Sequence, residues 1–279
     1  MVYRFPEKMR PSTLKERERF YREEFRTDMA LKWLSHRKIE KTAFAVIVGR
    51  HSGIYRKQFE NIRKKAVIID SHRDFADVLD HILYYLPEGV YYDRNIYADL
   101  TACDRCGKTY RDCWDCDGFL GQELAFDIDP ENIDCPYHGN VGEKMKRGQG
   151  LSFCMIEFRR ARKYCQMLYD ELKGEYREVR IVYSGRGFHI HVLDERAARM
   201  SRDERIDISK QYRHYAIDEW VTNGEMRLIR LPYSLNGLVS RICIPLSPEE
   251  LSDFDPRRMA IPSFLPSSPP RSSRASSLP

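Results

Sequence analysis

The sequence predicts an α/β (α+β) fold, a strongly bent and mostly antiparallel sheet flanked by helices. Short apolar runs at 42–49, 90–92, 96–100, 179–184 and 188–193 have strand length and are bounded by turn residues. Helical patterns with their own start signals lie between them. The runs at 179–184 and 188–193 are separated only by Gly185-Arg186-Gly187, the spacing of a hairpin, so these two strands run antiparallel.

Taken in order, Thr13-x-x-Glu16 is a capping-box signal, and one long amphipathic helix carrying Leu14, Phe20, Tyr21, Phe25, Met29 and Trp33 should follow it. Thr42 to Gly49 reads as a buried strand. Ser71, with Asp74 three residues on, can cap a helix reaching about Leu86, which Pro87 and Gly89 end. After the two short strands comes a cysteine-rich insertion at about 101–118, then a strand through Asp127 and Asp129. Residues 131–150 read as an irregular loop, and a helix from about Phe153 to Leu172 leads into the hairpin. Residues 195–220 are charged and helical in pattern, and 227–246 read as turn and strand. From Pro262 Ser and Pro dominate, a composition that cannot bury a core, so 262–279 is expected to be a disordered tail behind one folded domain at 1–261.

At 279 residues, 42% hydrophobic and 32% charged, the chain can bury a sizeable core. The longest apolar run, Ala43 to Val48, is far too short to span a bilayer, and the N-terminus has no signal-peptide core, so no membrane association and an intracellular location are expected. A net charge of +5 permits nucleic-acid binding without requiring it. Arg159, Arg160, Arg162 and Lys163 cluster on the 153–172 helix, as a solvated face or as a nucleic-acid contact.

The chemistry is concentrated in two motifs. In Glu123-Leu-Ala-Phe-Asp127-Ile-Asp129 the two aspartates share one strand face and Ile128 points the other way. Paired acceptor-only carboxylates repel unless a cation sits between them, and hard cations such as Mg²⁺ or Mn²⁺ favour such oxygen ligands. A solvated strand end is the plainer reading of the pair. Ser184-Gly-Arg186-Gly-Phe-His189 supplies a hydroxyl, a guanidinium, an imidazole and glycines that let backbone amides approach a phosphate. A tight turn with an incidental arginine is its plainer reading. Metal ligands and phosphate ligands together point to nucleotidyl transfer.

These two motifs, with Arg227-Leu-Ile-Arg230-Leu-Pro-Tyr-Ser-Leu235, Ile242-Cys-Ile-Pro245, Phe20-Tyr-Arg22 and Tyr55-Arg56-Lys-Gln-Phe59, resemble the catalytic small subunit of the archaeo-eukaryotic DNA primases over about residues 15–260. The resemblance implies a primase-type catalytic core, with an RRM-like half packed on a second α/β half; archaeal members often carry a helical insertion after the second motif, but the short interval here from His191 to Asp218 leaves such an insertion absent or vestigial. It implies a third metal-binding carboxylate twelve positions before Arg230, which is Asp218. Asp127, Asp129 and Asp218 would then be catalytic and hold Mg²⁺ or Mn²⁺. Ser184, Arg186, His189, Arg230 and Arg56 would bind the nucleotide phosphates. Six residues after Arg230 the family usually has a phosphate-contacting histidine; here stands Asn236, which donates a hydrogen bond but carries no charge, with Arg241 a candidate to compensate. His191 shares a strand face with His189 and reads as its neighbour rather than as a second metal ligand.

Cys103-x-x-Cys106 and Cys113-x-x-Cys116, six residues apart, read as a structural Cys₄ Zn²⁺ site with no open coordination position. The family's zinc module normally follows the Asp-x-Asp motif. There this chain keeps Cys135, His138 and Cys154, with Leu151 where a fourth ligand would be sought. Cys165 and Cys243 read as core residues.

The leading expectation is therefore a DNA primase catalytic subunit, a nucleotidyltransferase that uses a single-stranded DNA template and nucleoside triphosphates. The resemblance adds a large partner subunit in a heterodimer. Two alternatives stay open: a primase-like repair polymerase extending existing primers, and a non-catalytic zinc-bearing nucleic-acid-binding protein.

Overall fold

The Thr13 hydroxyl accepts from the Glu16 amide and the Glu16 carboxylate accepts from the Thr13 amide, so the capping box closes and α1 (Leu14–Glu23) begins where its sequence requires. The structure, a computed structural model, describes residues 3–62, 67–98, 100 and 118–266. The expected single long helix is broken: α1 ends at Glu23, with Glu24 as its C-cap, and α2 (Thr27–Trp33) follows. In a straight helix Phe20 and Trp33 would face directions roughly 140° apart. The break brings both, with Tyr21 and Phe25, into one core.

β1 (Phe44–Ile47) and the edge strand β2 (Ile68–Asp70) follow, then α3 (Phe75–Tyr85). Asp74 rather than Ser71 caps α3, and Leu86 in the left-handed conformation ends it. β3 (Gly89–Asp93), β4 (Asn95–Tyr97), β5 (Phe119–Gln122) and β6 (Leu124–Ile128) lead to the acidic motif. The segment expected to be an irregular loop holds a 3₁₀ turn (Pro130–Asn132) and α4 (Val141–Lys146), whose start Asn140 and Glu143 cap reciprocally. α5 (Met155–Glu175) then packs beside the hairpin β7 (Val179–Tyr183) and β8 (Phe188–Val192). Between β8 and Asp218 lie only α6 (Glu195–Ala198), α7 (Arg202–Tyr212) and a 3₁₀ turn. α8 (Glu219–Thr222), β9 (Leu228–Arg230), β10 (Leu235–Asn236), β11 (Arg241–Ile242), β12 (Ile244–Leu246), α9 (Pro248–Asp253) and α10 (Pro256–Met259) complete the described chain.

Two four-stranded sheets, β2-β1-β3-β9 and β12-β7-β8-β6, have only antiparallel neighbours, and β4-β5 and β10-β11 form two-stranded ladders. Alternation divides the second sheet cleanly. Leu124, Phe126, Ile128, Ile181, Tyr183, Phe188, Ile190 and Val192 fill one core with Phe158, Cys165, Leu168 and Leu172 of α5. Burying each large side chain of that set stabilises the fold by about 1.5–3 kcal/mol. The other face carries Ala125 and Val182, which join the second core under the first sheet with Phe44, Val46, Val90 and Ile229. The same face carries Asp127, paired with His189, and Ala125, paired with His191. The polar residues of β6 and β8 thus lie at the junction of two cores, fixed in register by the apolar residues between them.

Cys165 and Cys243 are fully buried core residues, as their sequence context suggests. Arg159 and Arg160 lie exposed on α5, where Arg160 donates to the Asp134 carbonyl. The four cysteines of the 103–116 cluster, and the tail from 267, lie outside the described residues.

Candidate active site and metal centre

One cavity of about 250 Å³ is lined by Asp127, Asp129, Asp218, Ser184, Arg186, His189 and Arg230. These are seven of the eight residues singled out in sequence for the nucleotide and its cations. The eighth, Arg56, is not among the lining residues; it precedes the 3₁₀ turn Lys57–Phe59, and its carbonyl accepts from the Phe59 amide.

β6 delivers Asp127, and the extended backbone beyond it delivers Asp129. Asp218 reaches the same place from a distant segment: its amide donates to the Asp127 carbonyl at 2.7 Å and its side chain caps α8 by accepting from Trp220 N at 2.9 Å. Arg94 secures that segment. It is fully buried and donates to the carbonyls of Glu123, Val221 and Met226, each at 2.6 Å.

The carboxylates bear the marks of crowding. Burial, then the charges of Asp129 and Asp218, push the Asp127 pKa well above the usual carboxylate range, and burial also raises that of Asp218. Asp127 Oδ1 is buried without a hydrogen-bond partner, with His189 Nε2 3.6 Å away. Burial, the neighbouring His191 and the cationic Arg230 push the His189 pKa well down, so its imidazole is neutral at pH 7. A fourth acid, Glu131, was not anticipated. It is buried, its pKa is pushed up to about 8 by burial, and it pairs with Arg186 at 2.6 Å. No spacing rule marks it, because the Pro130 turn and not a strand period brings it against Arg186.

Beside the acids, the loop after β7 is built for close approach. A Cβ on Gly187 would lie 2.3 Å from the Ile128 carbonyl oxygen, so only glycine fits against β6. Ser184 Oγ accepts from Gly187 N at 3.1 Å, which keeps its own proton free to donate. Arg186 Nη2 contacts Asp129 at 3.1 Å as well as Glu131. Burial works against that charge, but Glu131 and Asp129 outweigh it and raise the guanidinium pKa above its ordinary value. Arg230 Nη2 donates to Tyr91 Oη at 2.7 Å, and its guanidinium lies 4.7 Å from the Tyr91 ring centroid. The Nη1 atoms of both arginines are buried and without a partner.

Behind the cavity, His191 Nδ1 lies 2.6 Å from Glu123, which also binds Arg37 at 3.0 Å and Tyr92 Oη at 3.0 Å. His191 is therefore a buried partner of Glu123. Arg241, the candidate replacement for the missing histidine charge, does not reach the cavity: its guanidinium donates to the carbonyls of Pro256, Lys8, Val239 and Ser240.

A second cluster lies beside the first. Cys135, His138, Cys154 and Glu157 bring one ligand atom each within 4.8 Å of one another. Cys135 Sγ lies 3.9 Å from Cys154 Sγ and 3.3 Å from His138 Nδ1, and His138 Nδ1 lies 4.0 Å from Glu157 Oε2. Two thiolates about 2.3 Å from one tetrahedral ion would be roughly 3.8 Å apart, so the donors and their spacing fit a Zn²⁺ ion. The fourth ligand follows Cys154 by three residues instead of preceding it, because Cys154 caps α5 and Glu157 closes the capping box in its first turn. The remaining Glu157 oxygen pairs with the buried Lys144, which also donates to the Glu131 carbonyl at 3.1 Å.

Fold and site together define a mixed α/β protein with a cavity lined by both acids and arginines. A protein of Archaeoglobus fulgidus, described as an uncharacterized DNA primase small subunit-like protein, is 68% identical over 277 residues, 99% of each chain. This chain belongs to that DNA primase small subunit-like family. The DNA primase small subunit of Pyrobaculum calidifontis is 26% identical over 224 residues, 64% of this chain and 66% of that one, and that of Pyrococcus furiosus is 24% identical over 85% of this chain and 63% of that one. The solved polymerase domain of Mycobacterium tuberculosis ligase D, in complex with DNA, aligns over 84% of this chain and 83% of that chain with a TM-score of 0.48 and 14% identity. No family model matches the chain.

Proposed function

We propose that this chain is a template-directed nucleotidyltransferase of the primase type, joining nucleotides on single-stranded DNA. The observation that carries the reading is the convergence of Asp127, Asp129 and Asp218 with Arg186 and Arg230 on one cavity. The residues present fit a divalent cation. Their like charges raise each other's proton affinity, and Asp127 keeps an orphaned buried oxygen that a cation would satisfy.

Asp127, Asp129 and Asp218 would hold Mg²⁺ or Mn²⁺. When bound, such ions lower the pKa of an attacking 3′-hydroxyl and offset charge on the leaving pyrophosphate. Arg186 and Arg230 would grip the triphosphate through their unpartnered Nη1 atoms, and Ser184 would add its hydroxyl proton. His189, neutral and facing Asp127, would help orient that carboxylate. Cys135, His138, Cys154 and Glu157 would hold a structural Zn²⁺, as would Cys103, Cys106, Cys113 and Cys116. The family name supports a heterodimer with a large primase subunit and work inside the cell; no helix among the described residues is long and apolar enough to cross a membrane.

Extension of existing primers is the second reading. It is favoured by Asn236, whose side chain is engaged with the backbone at Ser184 and Leu238, leaving no histidine at that position to grip an initiating triphosphate. The test is Mn²⁺- or Mg²⁺-dependent incorporation of labelled ribo- and deoxynucleotides on unprimed and primed single-stranded DNA, with Asp127→Ala as control. Products on the unprimed template that vanish in the variant support priming; products on the primed template alone support extension. Incorporation on neither, with the large subunit added, shifts the weight to the non-catalytic binding protein.

A further inference from the structure

Next to the carboxylate cavity lies a smaller one of about 60 Å³, and the two share Tyr91, Arg186, Arg230 and Asn236 as lining residues. Its volume is about that of two waters in the liquid, room for one phosphoryl group but not for a nucleoside. The two arginines on its wall are those whose buried Nη1 atoms lack a partner. Asn236 offers little to an anion here: its Oδ1 accepts from Leu238 N at 3.2 Å and its Nδ2 donates to the Ser184 carbonyl at 3.2 Å. The remaining side chain with an N–H to give is His51, which no motif of the sequence marked.

The chain presents His51 rigidly. Gly49 has φ +63°, and a Cβ there would lie 2.7 Å from the Ile54 carbonyl oxygen, so the loop after β1 folds tightly back on itself. Glu88 accepts from the amides of Ser52 at 2.6 Å and His51 at 3.3 Å, and Arg17 donates to Ser52 Oγ and the Ile54 carbonyl. These bonds tie one oxygen, Oε2, of the carboxylate on the cavity wall to backbone amides, and the two arginines and the imidazole are the groups there with N–H to offer an anion.

We infer that His51 is a ligand for the terminal phosphate of the incoming nucleoside triphosphate, acting with Arg186 and Arg230 in place of the histidine missing at position 236. The inference rests on the nucleotidyl-transfer reading and adds to it a residue and a phosphate. It is tested with the full chain on a primed template in Mn²⁺, by KM and kcat, and by calorimetric binding of a nucleoside triphosphate and the matching diphosphate. His51→Ala should raise KM about tenfold with kcat changed little, the size of one lost hydrogen bond to a charged group. It should also shrink the preference for triphosphate over diphosphate, which a merely structural defect would leave in place. His51→Gln, which keeps a donor, should lie between, and His51→Ala/Asn236→His should recover part of the loss. Wild-type KM and an unchanged phosphate preference in both single variants would overturn the role of His51 while leaving the proposed function standing. A wild-type protein that binds neither nucleotide and incorporates none would overturn both.

Discussion

Removing Cys154 should cost this protein both a metal ion and its grip on the nucleotide. Cys154 and Glu157 sit in the first turn of α5, and Cys135 and His138 on the segment that continues from Asp129, so an ion held by all four pins the acidic loop to the longest helix. A ligand present at roughly 100 to 1,000 times its dissociation constant stabilises the folded state by about 3–4 kcal/mol. For a chain of this size each kcal/mol moves Tm by about 2–4 °C. Chelation, or Cys154→Ser, should therefore lower Tm by roughly 10 °C. The functional effect follows the contacts from Glu157 to Lys144, from Lys144 to the Glu131 carbonyl, and from Glu131 to Arg186. Loosening that series should raise KM for the nucleotide several-fold. Elemental analysis separates this centre from the Cys103–Cys116 cluster: two zinc ions per wild-type chain should become one in Cys154→Ser and one in Cys106→Ser. Equal zinc in wild type and Cys154→Ser, with Tm indifferent to chelator, would refute the reasoning.

Three further outcomes are expected. Arg94→Met takes the donor from three carbonyls and should cost about 3–5 kcal/mol in urea unfolding, lowering kcat as the Asp218 segment loosens; a loss below about 1 kcal/mol would contradict this. Because Asp127 and Asp218 hold protons more tightly than free carboxylates, cation binding must displace them, so Mn²⁺ affinity should rise with pH through the raised pKa values of these carboxylates; calorimetry in two buffers of different ionisation enthalpy should detect the released protons, and a flat profile would contradict it. Glu123 is shifted the opposite way: burial opposes its charge, but the hydrogen bond with His191, the nearby His36 and the charge of Arg37 hold its pKa well below the ordinary 4.5. Its contribution to stability is thus complete above about pH 4.5 and lost as pH falls through the lower folded-state value. Thermal melts of Glu123→Gln across that range should lack this part of the acid slope, and an unchanged slope would refute it.

What sequence could and could not reveal follows from the range of each interaction. The alternation of Leu124, Phe126 and Ile128 against Asp127 and Asp129 is local, and so is the Ser184–His189 hairpin; both are legible residue by residue. The place of Asp218 beside Asp127 was legible only through family spacing, since its geometry depends on a backbone hydrogen bond across 91 residues (218 − 127). Glu131, His51 and Glu157 were not marked, because a proline turn, a folded-back loop and a helix cap position them, and none leaves a periodic trace. The break between α1 and α2 was missed for a related reason: the capping signal announces where a helix begins, whereas packing of Phe20 and Trp33 into one core decides where it stops.

The arginines and the acids of the cavity are partly bound to each other, and this has a consequence for ligand binding. Arg186 Nη2 is shared between Asp129 and Glu131, so a cation that takes Asp129 removes one hold on the very guanidinium proposed to meet phosphate. A phosphate that draws Arg186 away in turn leaves Asp129 less neutralised and a better cation ligand. Linkage makes the two effects equal: each ligand strengthens the other by the same factor, beyond any direct attraction between them. Asp129→Asn isolates the protein's share of this coupling. It should abolish incorporation, yet in the absence of divalent cations it should bind nucleoside triphosphate several-fold more tightly than wild type, because one competitor for Arg186 has lost its charge. Glu131→Gln should act in the same direction above about pH 8, where Glu131 is ionised. Equal or weaker cation-free binding in Asp129→Asn would show that Arg186 is not held back by the acids it touches, and that the two sets of residues bind their ligands independently.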